Sequence, residues 1–426
     1  MTERIITLPT FHEHQANIWR KRTKRNALRC GRRFGKTKMI VTMGANASIK
    51  GRKVGIFAPE HKQLQEPYDE LLKTIFPIRS GSNKTDGYIK TETGGKLDFW
   101  SLIDNELAGR GREYDLILID EAAFTKNRQM LDIWSRSILP TMATRPNAEA
   151  WVFSTPNGID PENFFWKCCN DPEMGFAEFH APSISNPLVS REWLERERER
   201  SHPDVFRQEY LAEFVDWSGT AFFSEDKLLE NGEPVPVPNY CDYVFAVLDT
   251  ALKDGLQHDG TAVIYYAVNK FPEPRVYILD WELLQIQGAL LEDWIPAVAH
   301  KLEGLAKAAS ARHGSAGMWI EDKASGIVLI QQAERRGIEA NAIDSKLTAQ
   351  GKEGRALSVS GYVYRGEIKI TEPAYNKVAA YQGVTRNHLI AQVCGFRLGQ
   401  KTPHNMDLLD CFTYGVAIAL GDSDGY

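Results

Sequence analysis

Two segments carry the residues with the clearest chemical potential: Cys30–Thr37, which reads C-G-R-R-F-G-K-T, and Tyr114–Glu121, which reads Y-D-L-I-L-I-D-E. A Gly-Lys-Thr that follows a flexible turn and opens a helix presents backbone N–H groups to phosphate, and the positive end of the helix dipole adds to the attraction. With Gly35 in the turn, Lys36 would reach the β- and γ-phosphates of a nucleotide and the Thr37 hydroxyl would sit on Mg²⁺. Against the pattern G-x-x-x-x-G-K-[ST], Cys30 takes the first glycine position and Gly31 comes one residue late. The second segment contains Leu116–Ile119, a continuous apolar run of the kind expected for a strand buried on both faces. Two acids cap it: Asp120 would hold the Mg²⁺ shell, and Glu121 would orient and deprotonate an attacking water. Together the two segments describe an ATPase site. Gln15, upstream of the phosphate loop, is placed to hydrogen-bond an adenine edge.

Further residues extend this site. Ser154 and Thr155 follow an apolar run and suit a sensor of the γ-phosphate, the plainer alternative being a Pro-Asn-Gly turn. Gly109-Arg110-Gly111-Arg112 puts two arginines on a glycine-flexible loop, able to donate to phosphate charge in the transition state within the subunit or across to a neighbour, the plainer alternative being an ordinary surface loop.

The second half of the chain holds a different chemistry. Asp249 ends the apolar run Tyr243–Leu248, Glu321 and Asp322 follow the short apolar run Met318–Ile320, and Asp407 and Asp410 open a late helix at a spacing that puts them on one face. Acids from two strand ends and one helix start, brought to one point, repel unless a divalent cation lies between them, and hard oxygen ligands imply Mg²⁺ or Mn²⁺. Two such ions stabilise both the attacking water and the leaving oxygen of a phosphodiester, which is nuclease chemistry. Lys346, Lys352 and Arg355, around Gly351 and Gly354, read as a basic loop clamping a DNA backbone or as a surface loop.

Positioning these groups requires strands that deliver them to one edge. A helix over residues 11–28, strands at Val54–Ala58, Leu97–Trp100, Leu116–Ile119 and Ala150–Phe153, and short connections argue for a parallel sheet covered by helices, with its ligand at the carboxyl ends of the strands. Between Arg20 and Lys38 there are ten Lys or Arg in nineteen positions, either a solvated face with phosphate-loop residues or a surface for DNA or another subunit. Residues 191–214 read as one charged helix, and the Pro-rich N-G-E-P-V-P-V-P-N at 231–239 reads as a linker before a second domain. That domain opens with three strands in hairpin order, then a helix over 288–310 and a further strand.

With 426 residues and about 100–200 residues per domain, two or three domains are expected. A formal net charge of −5 means that any nucleic-acid surface is a local patch. The six cysteines form no C-x-x-C pair, and Cys168-Cys169 with His180 lacks the second pair of a zinc site, so the thiols are expected to be reduced in a cytosol. The first residues lack an apolar signal core, and no run approaches the ~18 apolar residues of a spanning helix, so a soluble cytoplasmic protein without membrane contact is expected.

Taken in order, C-G-R-R-F-G-K-T, Y-D-L-I-L-I-D-E-A, S-T-P-N-G, S-G-T-A-F-F, L-D-T, E-D-K-A-S-G and D-L-L-D resemble the large terminase subunit of tailed bacteriophages, a DNA-packaging motor that carries its own nuclease. The resemblance implies an α/β protein: a P-loop ATPase domain of the RecA-like (ASCE) class with a parallel sheet over 1–215, a linker over 216–240, and an RNase H-like nuclease domain with a mixed sheet over 241–426. It implies that Lys36 and Thr37 bind phosphate and Mg²⁺, that Asp120 is the metal-shell acid and Glu121 the catalytic base, and that Ser154 and Thr155 couple hydrolysis to movement. Arg32, Arg33, Arg110 and Arg112 are all candidates for an arginine finger. Asp249 matches the first nuclease acid, Glu321 or Asp322 the second, and Asp407 or Asp410 the third, with Asp249, Glu321 and Asp407 favoured. The implied cofactors are ATP and Mg²⁺, with Mn²⁺ as an alternative in the nuclease. The implied partners are double-stranded DNA, a small terminase subunit, the portal of a procapsid and further copies of the chain in a ring, in the host bacterial cytoplasm. A helicase-like translocase or repair ATPase would share the first half but carry a second RecA-like domain in place of the acid cluster. A non-catalytic DNA-binding scaffold has no use for intact Lys36, Thr37, Asp120 and Glu121.

Overall fold

A computed structural model describes residues 5–421, apart from positions 104 and 126 and the segments 218–221, 251–260, 272–274, 286–290, 322–324 and 399–405. The chain divides into two units, one of residues up to Glu199 with Pro203–Asp216, the other of Arg200–His202 with Trp217 onward. Among the described residues no helix is long and apolar enough to cross a membrane.

The first unit is built on β1 (Arg25–Cys30), β2 (Lys53–Ala58), β3 (Arg79–Asn83), β4 (Tyr88–Thr91), β5 (Lys96–Ser101), β6 (Leu116–Ile119), β7 (Glu149–Ser154) and β8 (Ala177–Ala181). They form one sheet in the order β3-β4-β5-β2-β6-β7-β1-β8. The six strands from β5 to β8 pair in parallel, and β4 and β3 extend the edge in antiparallel fashion. Parallel strands need both faces covered, and the burial of all four residues of β6 and of five of the six in β2 and β7 reflects this. Trp151 on β7 is fully buried, with ring centroids 5.9 Å from Trp19 and 6.3 Å from Phe179. Burial of an aromatic of this size contributes on the order of 2–3 kcal/mol.

The helix expected over 11–28 ends early. It spans Glu13–Lys21, with a capping box between His12 and Gln15, and the residues after it become β1. The charged flanks conceal this strand: Asn26 is fully buried yet satisfied, its amide donating to the carbonyls of Thr23 (2.8 Å) and Ala150 (3.4 Å). The single helix expected over 191–214 is also two, Arg191–Arg200 and Pro203–Glu209. The break between them follows from Pro203, which cannot continue a preceding helix.

The second unit contains β9 (Tyr243–Asp249), β10 (Thr261–Asn269), β11 (Arg275–Leu284), β12 (Ser315–Ile320), β13 (Ala340–Ala342) and β14 (Ile368–Ile370), in the order β13-β12-β9-β10-β11-β14, and a separate hairpin of β15 (Ala379–Tyr381) and β16 (Val384–Arg386). β9, β10 and β11 form an antiparallel meander, whereas β12 joins β9, β13 joins β12 and β14 joins β11 in parallel. This is the mixed sheet expected of an RNase H-like fold. The helix Asp407–Leu420 lies against it and is buried over almost its whole length.

The stretch read as a linker is no free spacer. Phe222, Phe223, Leu228 and Val235 are buried, and Val235 bridges to Thr371 in parallel. Its prolines set an extended path, but apolar residues at alternate places give that path something to bury. Arg200–His202 joins the same unit. The Arg365 guanidinium donates to the Arg200 carbonyl, Gly361 leaves no room for a side chain there, and the His202 ring lies 5.5 Å from Tyr364 and 6.0 Å from Phe222.

Candidate active sites

Because β6, β7 and β1 are neighbours in the sheet, their carboxyl ends deliver Asp120 and Glu121, Ser154 and Thr155, and the phosphate loop to one edge. The loop turns into the helix Lys36–Ile49 through Gly35, whose φ of 100° is open to glycine and strained for other residues. Gly31, the glycine that comes one place late, is required by close approach: a side chain there would overlap the Tyr210 carbonyl and the Ser183 hydroxyl. Cys30 fills the place of the missing glycine as the last residue of β1, fully buried, with Sγ 3.8 Å from the Ser154 carbonyl. Burial pushes its thiol up to about 12, so it stays protonated and inert.

Lys36 Nζ is hydrogen-bonded to Glu121 Oε1 and lies 3.4 Å from Thr155 Oγ1. Burial alone would lower the lysine's pKa, but the charges of Glu121 and Asp120, the Cys30 thiol and the hydrogen bond to Glu121 together hold the ammonium above its ordinary value. Glu121 has φ 47°, a left-handed conformation costly for a residue with a side chain, and its Oε2 accepts from Ser154 Oγ at 3.4 Å. That strain turns the chain sharply off β6 and aims the carboxylate at Lys36. Asp120 is buried, accepts from the Glu121 N–H at 2.9 Å, and is pushed up to about 6 by burial and then by the Glu121 charge. Thr37, the second residue of the helix, is half-buried.

The loop is braced from residues that lie far along the chain. Arg32 N–H donates to the Glu209 carbonyl at 2.7 Å, its Nε to Glu209 Oε2 at 2.5 Å, and Ser183 Oγ and Asn186 Nδ2 donate to the carbonyls of Arg32 and Arg33 at 2.6 and 2.7 Å. None of these braces is visible in the sequence, since no local pattern links residue 32 to residue 209. Gln15 is buried, and its Nε2 donates to the carbonyls of Phe34 (3.3 Å) and Gly35 (3.2 Å), so the amide expected at an adenine edge holds the phosphate loop instead. Arg33, Arg110 and Arg112 are exposed. The turn that carries the last two packs Gly109 against Phe57, the residue whose carbonyl receives the Asp120 N–H.

In the second unit, Asp249 ends β9, Glu321 follows β12, and Asp407 and Asp410 are the first and fourth residues of the late helix. Asp322 lies outside the described residues. Burial first, then the charges of Asp410, Asp407 and Glu321, push the Asp249 carboxyl well above the usual range, so these four acids share one field. Their donor chemistry, hard carboxylate oxygens, fits Mg²⁺ or Mn²⁺. Among the described residues, however, no three His, Cys, Asp or Glu are grouped closely enough to share an ion. Asp410 is taken up by cations instead: Lys352 Nζ lies 2.8 Å from one oxygen, and Arg355 Nη2 bonds the other. The basic loop expected around Gly351 and Gly354 is a helix, Gly351–Tyr364, with Arg355, Ala356, Val359 and Val363 buried. Two glycines suggested a loop, but the apolar spacing of 356, 359 and 363 prevails.

The family described as "Terminase large subunit, T4likevirus-type, N-terminal" matches residues 11–228, half of the chain. The chain belongs to the terminase large subunit family. The large terminase subunit of Thermus phage G20c is 33% identical over 138 residues, 28% of this chain and 27% of that protein. That of Escherichia phage T5 is 27% identical over 196 residues, 45% of this chain and 44% of that protein. The chain thus spans about a quarter to a half of the length of these curated relatives. In structure, it is similar to the large terminase of a thermophilic bacteriophage, with a TM-score of 0.64 at 16% identity over 97% of this chain and 100% of that one. The same phage protein has also been solved with ATP-γ-S, a structure that matches with a TM-score of 0.63 at 15% identity over 96% of this chain and 99% of that one. The similarity to these two structures supports a two-part terminase fold along this chain.

Proposed function

We propose that this terminase large subunit is an ATP-driven motor that moves double-stranded viral DNA into a procapsid and a metal-dependent endonuclease that cuts concatemeric genome DNA. The observation that carries the reading is the meeting of Lys36, Glu121, Ser154 and Thr155 at one sheet edge, in a chain that also carries four acids in one field, two at strand ends of a second, mixed sheet and two at the start of the late helix. Residues 1–215 serve as the ATPase domain and 241–426 as the nuclease.

In the ATPase, the N-terminus of the helix Lys36–Ile49 and the backbone around Gly35 would receive the phosphates, Thr37 and Asp120 would hold Mg²⁺, and Glu121 would take the proton of the attacking water. Ser154 and Thr155 touch Glu121 and Lys36, so a change in the bonding of either reaches β7 at once. The finger comes from Arg33, Arg110 or Arg112, because Arg32 is bound to Glu209. In the nuclease, Asp249, Glu321 and Asp407 would hold Mg²⁺ or Mn²⁺, which activates water and stabilises the leaving oxygen of a phosphodiester. A small terminase subunit, a portal and a ring of copies in the host cytoplasm complete the machine.

Purified full-length protein should release phosphate from ATP with Mg²⁺ and cut plasmid DNA with Mn²⁺. Asp249→Ala should stop the cutting without changing the ATPase rate. Cutting that persists in Asp249→Ala would remove these acids from the reaction.

A further inference from the structure

Resting on the cleavage reading above, we infer that Arg355 is a positioning residue of the nuclease site and that Asp410 is its counter-ion and not a metal ligand. Arg355 is 5% exposed, on the helix Gly351–Tyr364. Its Nη2 donates to Asp410 Oδ1, and its guanidinium carbon lies 4.3 Å from the centre of the Tyr414 ring. The Tyr414 hydroxyl in turn donates to Glu321 Oε1 at 3.2 Å. One planar cation therefore sets the late helix through Asp410 and the acid after β12 through Tyr414.

Lys352, one turn earlier on the same helix, covers the second oxygen of Asp410 at 2.8 Å. A divalent ion bound to Asp410 would lie within a few ångströms of two fixed positive charges, an arrangement that Coulomb's law opposes strongly in a buried site. The charges of Asp407 and Glu321 bear on Asp249. Asp249, Glu321 and Asp407 remain the candidate metal acids, and in this structure they are not grouped closely enough to share an ion. Arg355 Nε is buried without a hydrogen-bond partner among the described residues, a cost of the kind retained where a group's position matters.

The test compares full-length Arg355→Met, Arg355→Lys, Asp410→Asn, Asp249→Ala and the double variant Arg355→Met/Asp410→Asn. Readouts are plasmid cutting, Mn²⁺ binding by electron paramagnetic resonance, and melting temperature. Arg355→Met leaves Asp410 with Lys352 alone and Asp410→Asn leaves the buried Arg355 unpaired, so each should cut at least tenfold more slowly and melt lower. Arg355→Lys should recover part of the rate. The double variant strands only the part-exposed Lys352, so it should regain most of the parent's melting temperature, yet without the cation that sets Glu321 through Tyr414 it should still cut at least tenfold more slowly than the parent. Mn²⁺ affinity should stay within about threefold in Asp410→Asn and be lost in Asp249→Ala.

The inference is overturned if Asp410→Asn loses Mn²⁺ as Asp249→Ala does, or if the double variant cuts like the parent or does not fold. A parent protein that leaves plasmid intact, or an Asp249→Ala variant that cuts like the parent, removes the cleavage reading itself and is recognised without reference to the Arg355 variants.

Discussion

Lys36 and Glu121, 85 positions apart, are bonded side chain to side chain, and each also touches β7: Lys36 reaches Thr155, and Glu121 accepts from Ser154. The proposed phosphate-binding cation, general base and sensor form one hydrogen-bonded set, so a substitution in any one of them is felt by the other two.

Glu121→Gln keeps the shape and removes the base. Turnover should fall by about 10²–10⁴-fold while a fluorescent ATP analogue still binds. Phosphate release and equilibrium binding, measured on the same preparation, check this, and normal turnover would take Glu121 out of its role.

Asp120 gives a pH signature. An aspartate ordinarily near 3.8 that titrates at about 6 in the folded chain binds its proton more tightly folded than unfolded, so its contribution to stability falls as pH rises from about 4 through 6. Asp120→Asn mimics the protonated form. It should stabilise the protein by about 1–3 kcal/mol at pH 7.5, with the gain vanishing towards pH 4. Denaturant unfolding at the two pH values decides, and a gain independent of pH would contradict the assignment.

Gly31 and Cys30 separate pattern from function. Gly31→Ala should cost about 1–3 kcal/mol and weaken nucleotide binding, because a methyl group there displaces Tyr210 and Ser183. Cys30→Ala, which removes only an inert buried thiol, should bind nucleotide as the parent does. Calorimetric titration with ATP-γ-S distinguishes them.

The two loop arginines should behave differently. Arg32→Ala strands the buried Glu209 carboxylate and should cost about 1–3 kcal/mol while raising the KM for ATP. Arg33, exposed and held by its backbone at φ 63°, is free to act on phosphate: Arg33→Ala should lower kcat at least tenfold with KM nearly unchanged. A kcat that does not move would pass the finger to Arg110 or Arg112.

Much of the fold was legible because buried parallel strands leave runs such as Leu116–Ile119 and Tyr243–Leu248, and acids at strand ends mark the edge where ligands bind. β1 was not, since its buried Asn26 and flanking arginines imitate a solvated helix. β3, β4 and β8 were also hidden, as half-exposed strands at or next to the sheet edges without a sustained apolar run. At the sites, residue types announced Lys36, Glu121 and Asp249. Glu209, Tyr210 and Tyr414 did not announce themselves, because they act through contacts that no local spacing encodes. Lys352 and Arg355 looked like DNA ligands because charge in a sequence does not say which carboxylate will take it up.

The three-residue excursion of Arg200–His202 governs how the protein can be divided in the laboratory. A truncation after residue 216 would strip the aromatic cover from His202 and leave the Arg200 carbonyl without its guanidinium, so the isolated front half would present a sticky stub. Shortening further, to residue 199, would discard Glu209 and Tyr210 and unseat the very loop such a fragment is made to study. A well-behaved fragment has to keep the stub and repaint it, with a polar side chain in place of His202.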